Sequence, residues 1–384
     1  MIGILFARPM LYRLMRGKRS FERPAFYMEA AQDAGEEVVF FTLKDIDWKT
    51  GTVRAWNGRN GVLRKKPIPP VIVNRTRTLR RRAKQSIRRL KRMGKIVFNE
   101  RNVVSKLTVH HILAKDRELL PHLPETEAVS RHSVEQLLEH NGCLFLKPNT
   151  ASVGNGIIRL RKKKEAAVAE INVLGKTQKR KMKIRQIVNI VKGRKRQYLV
   201  QQGISLMKYE GNPVDFRVSL QKNGKGRWQL TGIVGKIAKK KSIVTNLHCG
   251  GKSQKAAVLF EHWGWDAAKI YKKAEKLGVR IAKTLEKELP HIADLGLDIA
   301  FDEHQHPWFI EANFRDLRIT FRNAGEREMW RATFANPVAY AAYLNKSAAH
   351  AESVADTAEV PVSLPTGGNV ARGSRRTESD GKAY

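Results

Sequence analysis

The chain has 384 residues, of which 42% are apolar and 28% charged, enough for two or three domains with filled cores and too polar for a membrane protein. No apolar run reaches the roughly eighteen residues of a transmembrane helix, so membrane insertion is not expected. Two cysteines, Cys143 and Cys249, exclude a disulfide framework and a multi-cysteine zinc site and point to a reducing, cytoplasmic compartment, while a formal charge of +37 speaks of partners rather than fold.

The opening MIGILFARPM has neither a basic leader nor a cleavage site, and IGILFA reads as a buried first strand rather than a signal peptide. A helix is expected from Pro24 to Gly35 and a second strand in EEVVFFTL. KDIDWKTGTVRAWN alternates Ile46, Trp48, Val53 and Ala55 around Thr50-Gly51, the pattern of a hairpin. PPVIVN is a further strand, a basic helix runs from about Thr78 to Met93 and stops at Gly94, and KIVFN closes the series. This alternation predicts a small open α/β domain over residues 1–100.

Beyond residue 100, VVSKLTVHHILAKD reads as a helix and LPETEAV as an extended arm. HSVEQLLEHNG reads as a helix with Ser133 as its cap and Gly142 at its end. QYLVQQGI is a strand, and DFRVSLQ with WQLTGIVGKIA makes a hairpin around Asn223-Gly224-Lys225-Gly226. WDAAKIYKKAEKLGVRIAKTLEKEL is a long amphipathic helix capped by Asp266, and LGLDIAFDEHQHPWFIEAN pairs two strands across a polar turn. From about Lys346 large apolar residues thin out, so a disordered tail is expected over 346–384.

The chemistry-bearing stretch is KPNTASVGNGIIRL, residues 147 to 160. A Walker-type loop needs Gly-Lys-Ser/Thr opening a helix, and no such string occurs. A dinucleotide fingerprint needs a third glycine where Arg159 stands, ahead of what reads as a strand. What remains is strand, glycine loop, strand: a hairpin whose tip can cover a ligand, or an ordinary surface hairpin. Downstream, Glu311 and Asn313 are two apart on one strand and share a face, and Asp298 on the preceding strand can meet them. Oxygen donors of this kind suit Mg²⁺, which takes one or two carboxylates and completes its shell with phosphate oxygens. Glycines that admit backbone N–H groups and lysines such as Lys106 and Lys147 that supply point charges then fit a nucleoside triphosphate. Asp215 and Arg217 share a strand face, as a site ion pair or a structural one. The His110-His111 and His304/His306 pairs lack a third ligand, and Cys249 and its neighbour His248 point to opposite faces, so these read as structural. Two basic blocks, RTRTLRRRAKQSIRRLKRMGK after Asn74 and a second from residue 161 to 196, could meet nucleic acid or another polyanion, or form a solvated surface.

Taken in order, KDIDWKTGTVRAW, PPVIVNR, NERNVVSKLTVHHIL, LPET, FLKPNTASVGNGIIRL, LVQQGI, DFRVSLQK and LGLDIAFDEHQHPWFIEAN resemble the ATP-grasp superfamily, and more closely the YheC/YheD family of endospore coat-associated proteins, from Ile2 to about Leu344. The resemblance implies an α+β / α/β fold: a pre-ATP-grasp α/β domain over 1–100 and an ATP-grasp domain over 101–345, whose two α+β subdomains hold ATP between them. Lys106 and Lys147 would contact phosphates, with a loop of Ser152, Gly154 and Gly156 covering them. Tyr198 to Gln202, including Gln201, would form the adenine-reading hinge, and Asp298, Glu311 and Asn313 would hold one or two Mg²⁺ ions. Arg217 and Lys236 would be the catalytic cations, Lys236 standing at the place of a phosphate-contacting arginine. The implied activity is a carboxylate–amine ligase acting through an acylphosphate, with spore-coat proteins or anionic polymers as further partners. A non-catalytic ATP-binding envelope protein and a nucleic-acid binder remain the alternatives. Two departures stand out: Gln201-Gln202 replaces the hinge glutamate of many ATP-grasp enzymes, and FRDLR follows Asn313 where many relatives have a Lys-Pro-Gly type turn.

Overall fold

A computed structural model describes residues 1–150, 156–163, 166–173, 176–193 and 197–358. Residues 1–345 form one compact unit, and residues 346–384 form a second, described only through its helical part as far as Ala358.

The N-terminal module comprises β1 (Ile2–Leu5), α1 (Arg8–Met15), α2 (Pro24–Asp33), β2 (Val38–Phe41), β3 (Ile46–Asp47), β4 (Thr52–Trp56), β5 (Leu63–Pro67), β6 (Val71–Asn74), α3 (Arg81–Arg92) and β7 (Ile96–Phe98). Its sheet runs β3-β4-β2-β1-β6-β7, with β5 on β4. The central pairings of β1 with β2 and β6 are parallel, and strands buried on both faces need the continuous apolar runs IGIL, VVFF and VIVN. In α3, RRAKQSIRRLKR, only Ile87 and Leu90 are buried, so its cations face outward. Two elements escaped the sequence reading. The proline in ARPMLY sits in the first turn of α1, where its missing N–H costs nothing, and β5 (LRKKP) lacks apolar alternation because it lies at an edge.

The second module follows: α4 (Lys106–Leu113), β8 (Thr126–Ala128), α5 (Arg131–Asn141), β9 (Cys143–Pro148), β10 (Ile158–Lys163), β11 (Ala166–Val173), β12 (Lys176–Met182), α6 (Ile184–Lys192) and β13 (Tyr198–Gln202). The antiparallel sheet order is β12-β11-β10-β9-β13-β8. β9 and β10 form the expected hairpin, with Ile158 opposite Leu146. The second basic block runs through β11, β12 and α6, and its cations on the outer part of this sheet lie on β10 and the edge strand β12. The cap of α5 is corrected: Ser130, not Ser133, is the N-cap, and the two serines form a reciprocal capping box, while Gly142 ends the helix with φ 65°.

The third module holds β14 (Lys208–Tyr209), β15 (Asn212–Lys222), β16 (Trp228–Ile237), β17 (Lys252–Lys255), α7 (Ala256–His262), α8 (Ala267–Glu288), β18 (Asp294–Phe301), β19 (Pro307–Asn313), α9 (Ile319–Asn323) and α10 (Arg327–Ala358). Its sheet runs β17-β16-β15-β18-β19. Asp266 caps α8 as expected, accepting from Lys269 N at 3.1 Å. Ile270, Ala274, Leu277, Ile281 and Leu285 line one face of α8 and pack on Val214, Phe216, Val218 and Leu220 of β15. The other face of β15 carries Asp215, Arg217, Ser219 and Gln221 and is largely buried too. α10 continues past Lys346, the expected start of the disordered tail; residues 359–384 of that expectation lie outside the described residues.

A cluster of buried charges joins the N-terminal module to the third. Arg75 donates to Glu22 Oε1 at 2.9 and 2.7 Å and to Asp294 Oδ2 at 3.3 Å; Arg318 donates to the same Asp294 oxygen at 2.8 Å and to Tyr27 Oη at 2.7 Å. Burial pushes the Glu22 carboxyl up, but Arg75 and Arg318 outweigh it and hold the group below its ordinary range. Removing one partner strands the others without water. Arg75→Ala is therefore expected to cost about 3–5 kcal/mol in urea unfolding. Lys66→Ala, which breaks the exposed Lys66–Glu37 pair at 3.1 Å, should cost less than about 1 kcal/mol. Equal unfolding midpoints for the two variants would show that the cluster does not hold the modules together.

Candidate functional site

Between the second and third sheets lies a cleft with an empty volume of about 1030 Å³, open to solvent, whose lining includes Lys106, Lys147, Gln201, Glu311 and Asn313. Lys106 is the first residue of α4. Its N–H donates to Asn149 O at 3.0 Å and that of Leu107 to Asn149 Oδ1 at 3.0 Å, so one asparagine at the end of β9 fixes the start of α4. Lys106 Nζ lies 3.3 Å from Glu311 Oε2. Lys147, on β9, donates to Gln201 Oε1, and Gln201 Nε2 donates to Thr126 Oγ1 at 2.9 Å. Gln201 thus orients the lysine. Desolvation, with Lys106 nearby, pulls the Lys147 pKa from 10.5 to about 8 against the attraction of Glu311.

The other residues of β13 divide by strand parity. Leu199 and Gln201 face the cleft, whereas Tyr198 is buried in the core beneath the sheet and donates through Oη to Gly156 O at 3.0 Å. Gln202 Oε1 accepts from Glu125 N at 3.2 Å on the side away from the cleft. Gly156 has φ 79°, which glycine adopts without strain, and its N–H donates to Asn172 O at 3.0 Å. Ser152 and Gly154 lie outside the described residues.

The carboxylate strands meet through a bulge. Asp298 pairs with Glu311, but Ile299 pairs with Phe309, so Ile310 is an extra residue on β19. Ile299 and Phe309 both face the apolar core. Strict alternation would send Glu311 to that core with Phe309; the inserted residue turns it to the polar face shared with Asp298. There Asp298 accepts from Arg217 Nε through Oδ1 at 2.9 Å and meets Lys236 Nζ through Oδ2 at 2.9 Å. Lys236 also lies 3.0 Å from Asp215 Oδ1. Burial opposes ionisation of Asp298, yet Arg217 and Lys236 hold its carboxyl below the ordinary range. Burial, with Asp298 close by, pushes Asp215 up despite Lys236. Arg217 continues to Asp316 Oδ1 at 2.7 Å, and Asp316 also accepts from Ser219 Oγ. Gly296 leaves room for this pair, since a Cβ there would lie 2.8 Å from both Arg217 Nη1 and Asp316 Oδ1.

Among the described residues no three His, Cys, Asp or Glu side chains converge as a metal cage. Glu311, which meets a single cation, Lys106, beside the amide of Asn313 still suits Mg²⁺, which keeps several oxygens from water or phosphate. Asp298 is the poorer donor of the three, because both its oxygens already meet cations. The sequence reading missed Asn149, Gln201 as a positioning residue, and Asp316. The acid in FRDLR was visible, but its pairing with Arg217 is set by tertiary structure.

A YheC/D-like ATP-grasp family model matches residues 94–344. The chain belongs to that family. It is similar to the endospore coat-associated protein YheD of Bacillus subtilis (strain 168), 27% identical over 333 residues that cover 83% of this chain and 72% of that protein. It is also similar to YheC of the same organism, 27% identical over 249 residues, covering 62% of this chain and 66% of YheC. Among solved structures it resembles the D-alanyl-alanine synthetase A of Vibrio cholerae O1 biovar eltor, with TM-score 0.51, 12% identity and coverage of 91% and 98% of the two chains. The D-alanine-D-alanine ligase of Coxiella burnetii gives TM-score 0.51, 9% identity and coverage of 92% and 99%. The fold is accordingly the ATP-grasp fold preceded by an α/β module. Among the described residues, no helix is long and apolar enough to cross a membrane.

The lowered pKa of Lys147 leads us to expect that anion binding in the cleft depends on pH. A polyphosphate beside it favours the charged amine, so binding of inorganic tripolyphosphate should take up a proton above pH 8. Affinity should then fall by up to about tenfold per pH unit as the free lysine deprotonates. Calorimetry in two buffers of different ionisation enthalpy measures the uptake, and Lys147→Met should abolish it. Identical heats in both buffers for the parent protein would remove Lys147 from the anion site.

Proposed function

We propose that this protein is an ATP-dependent ligase that joins a carboxylate to an amine through an acylphosphate. The observation that carries this reading is the convergence of Lys106, Lys147, Glu311 and Asn313 on one cleft within the family-matched region. Residues 1–100 serve as the pre-ATP-grasp domain and residues 101–345 as the ATP-grasp domain. Lys147 and Lys106 bind the triphosphate as point charges. Adenine is read by the backbone of β13 with Leu199 and Gln201, because Tyr198 and Gln202 turn the other way.

Mg²⁺, as one or two ions, fits at Glu311 and Asn313 with Asp298 behind them, and when bound it supplies charge neutralisation on the transferring phosphoryl group. Arg217 and Lys236 hold Asp298 ionised behind Glu311 and Asn313. A substrate carboxylate oxygen attacks the γ-phosphorus and ADP leaves. The amine then attacks the acyl carbon, inorganic phosphate leaves, and the nitrogen gives up its proton. The names of YheD and YheC support association with the endospore coat as well. One observation favours a second reading, a coat component whose exposed α3 cations dock on an anionic polymer: α3 buries only Ile87 and Leu90 and contains no acid. A steep salt dependence of that docking, without ATP turnover, would favour it.

ATP with Mg²⁺ should raise the unfolding temperature, as any ligand of the folded state does, and Lys147→Ala should remove most of the rise. Glu311→Gln should still bind nucleotide but lose the strengthening by Mg²⁺ and all turnover. Glu303→Gln, in the exposed β18–β19 turn, should match the parent. Mass spectrometry of reactions with ATP and candidate acids and amines reads the product. Full magnesium dependence in Glu311→Gln would place the metal elsewhere.

A further inference from the structure

A second cleft adjoins the first, and Leu317 lines both. Its walls come from segments some three hundred positions apart in the chain. The connection between α1 and α2 contributes Arg19 and Arg23, α9 contributes Arg322, and His248 lies on a third side. Among the described residues no acidic side chain lines it and no carboxylate pairs with any of the three arginines. Elsewhere in the interior the pattern is the reverse: Arg75, Arg217 and Arg318 each meet two carboxylates.

The segments that carry the cations are also held in place. Glu22 stands between Arg19 and Arg23 in the sequence, and its side chain turns inward to Arg75 at 2.7 Å, which pins the connection. Arg318, just before α9, is pinned to Asp294 at 2.8 Å. Both walls are thus anchored to one buried cluster. Arg23 lies over the Trp330 ring at 5.6 Å, and Arg322 Nη1 reaches across to Ser20 O at 3.5 Å. Three like charges held at one cleft repel one another, and an anion with a single charge offsets only part of that repulsion. Planar guanidinium forks pair best with carboxylate or phosphate oxygens.

We propose that this cleft binds a small acceptor with at least two oxyanion groups, a polycarboxylate or a phosphorylated acid, held by Arg19, Arg23 and Arg322 beside the phosphate cleft. Its role as the acceptor site rests on the ligase reading; its role as an anion site does not. With an empty volume of about 1290 Å³, open to solvent, the cleft has room for a ligand larger than a simple amino acid.

The test titrates the full chain, at fixed ionic strength without nucleotide or metal, with tricarballylate in one arm and 3-phosphoglycerate in the other. Saturable binding of either supports the proposal, and the arm that binds identifies the oxyanion. The double variant Arg19→Ala/Arg322→Ala should weaken that binding at least tenfold while keeping the ATP-induced rise in unfolding temperature. Lys147→Ala should do the opposite. Arg19→Lys/Arg322→Lys, which retains charge without the forks, should fall between and guards against a folding defect. Arg81→Ala/Arg82→Ala on exposed α3 should change nothing. Absence of binding in both arms, or an equal loss in the α3 variant, overturns the proposal. Anion binding through the arginines with no ATP binding would keep the cleft and discard the ligase reading.

Discussion

Charge without water is the constraint on which this molecule is built. From Glu22 a path of alternating sign runs through Arg75, Asp294 and Arg318, whose backbone N–H donates to Asp316 Oδ1 at 3.3 Å, and on through Arg217, Asp298 and Lys236 to Asp215. All these side chains are at least largely buried. A buried ion is tolerable only with its partners in place, so each link fixes the next. The path begins in the N-terminal module, crosses into the third sheet and ends beside the oxygens facing the cleft. Its acids and bases nearly balance. Part of the surplus behind the +37 lies on α3 and on the outer strands of the second sheet.

That arrangement explains why β15 carries its sequence. Val214, Phe216, Val218 and Leu220 supply one face of an ordinary sheet against α8. Asp215, Arg217, Ser219 and Gln221 occupy the face that would meet solvent in a simple two-layer domain. Here that face is covered, and each polar group must find a protein partner. A polar face that is buried and paired gives a rigid base for neighbouring groups that must hold position against a charged ligand.

Much of this was legible in the sequence, for physical reasons that can be named. Apolar runs fix the parallel strands of the first sheet, β-alternation fixes the hairpins, and Asp266 marks the start of α8. What remained hidden depended on contacts distant in the chain. The extra residue Ile310 does not disturb the pattern WFIEAN, yet it decides which face Glu311 presents. Asp316 and Arg318 carried no assignment from the sequence because their partners, Arg217, Asp294 and Glu22, lie far away in it. Arg318, at φ 62°, adopts a conformation costly for a side-chain-bearing residue and keeps it because its guanidinium is held on three sides. Tyr198 and Gln202 lie on β13 but face away from the cleft, a distinction that requires the register with β9.

Asn149 gives the cleft a pivot. It sits at the end of a strand of the second sheet, while its carbonyl and side-chain oxygens hold the first two N–H groups of α4, whose Val109, Ile112 and Leu113 belong to the core of the third. Any swing of one sheet against the other turns about this point as long as those two bonds persist. Lys106 is bonded directly to the pivot and Lys147 lies two residues from it, so their separation changes little during a swing. The outer strands β11 and β12 lie farther from this point than β9 and would move most in such a swing, widening or narrowing the cleft on their side while the spacing of its two lysines stayed nearly constant.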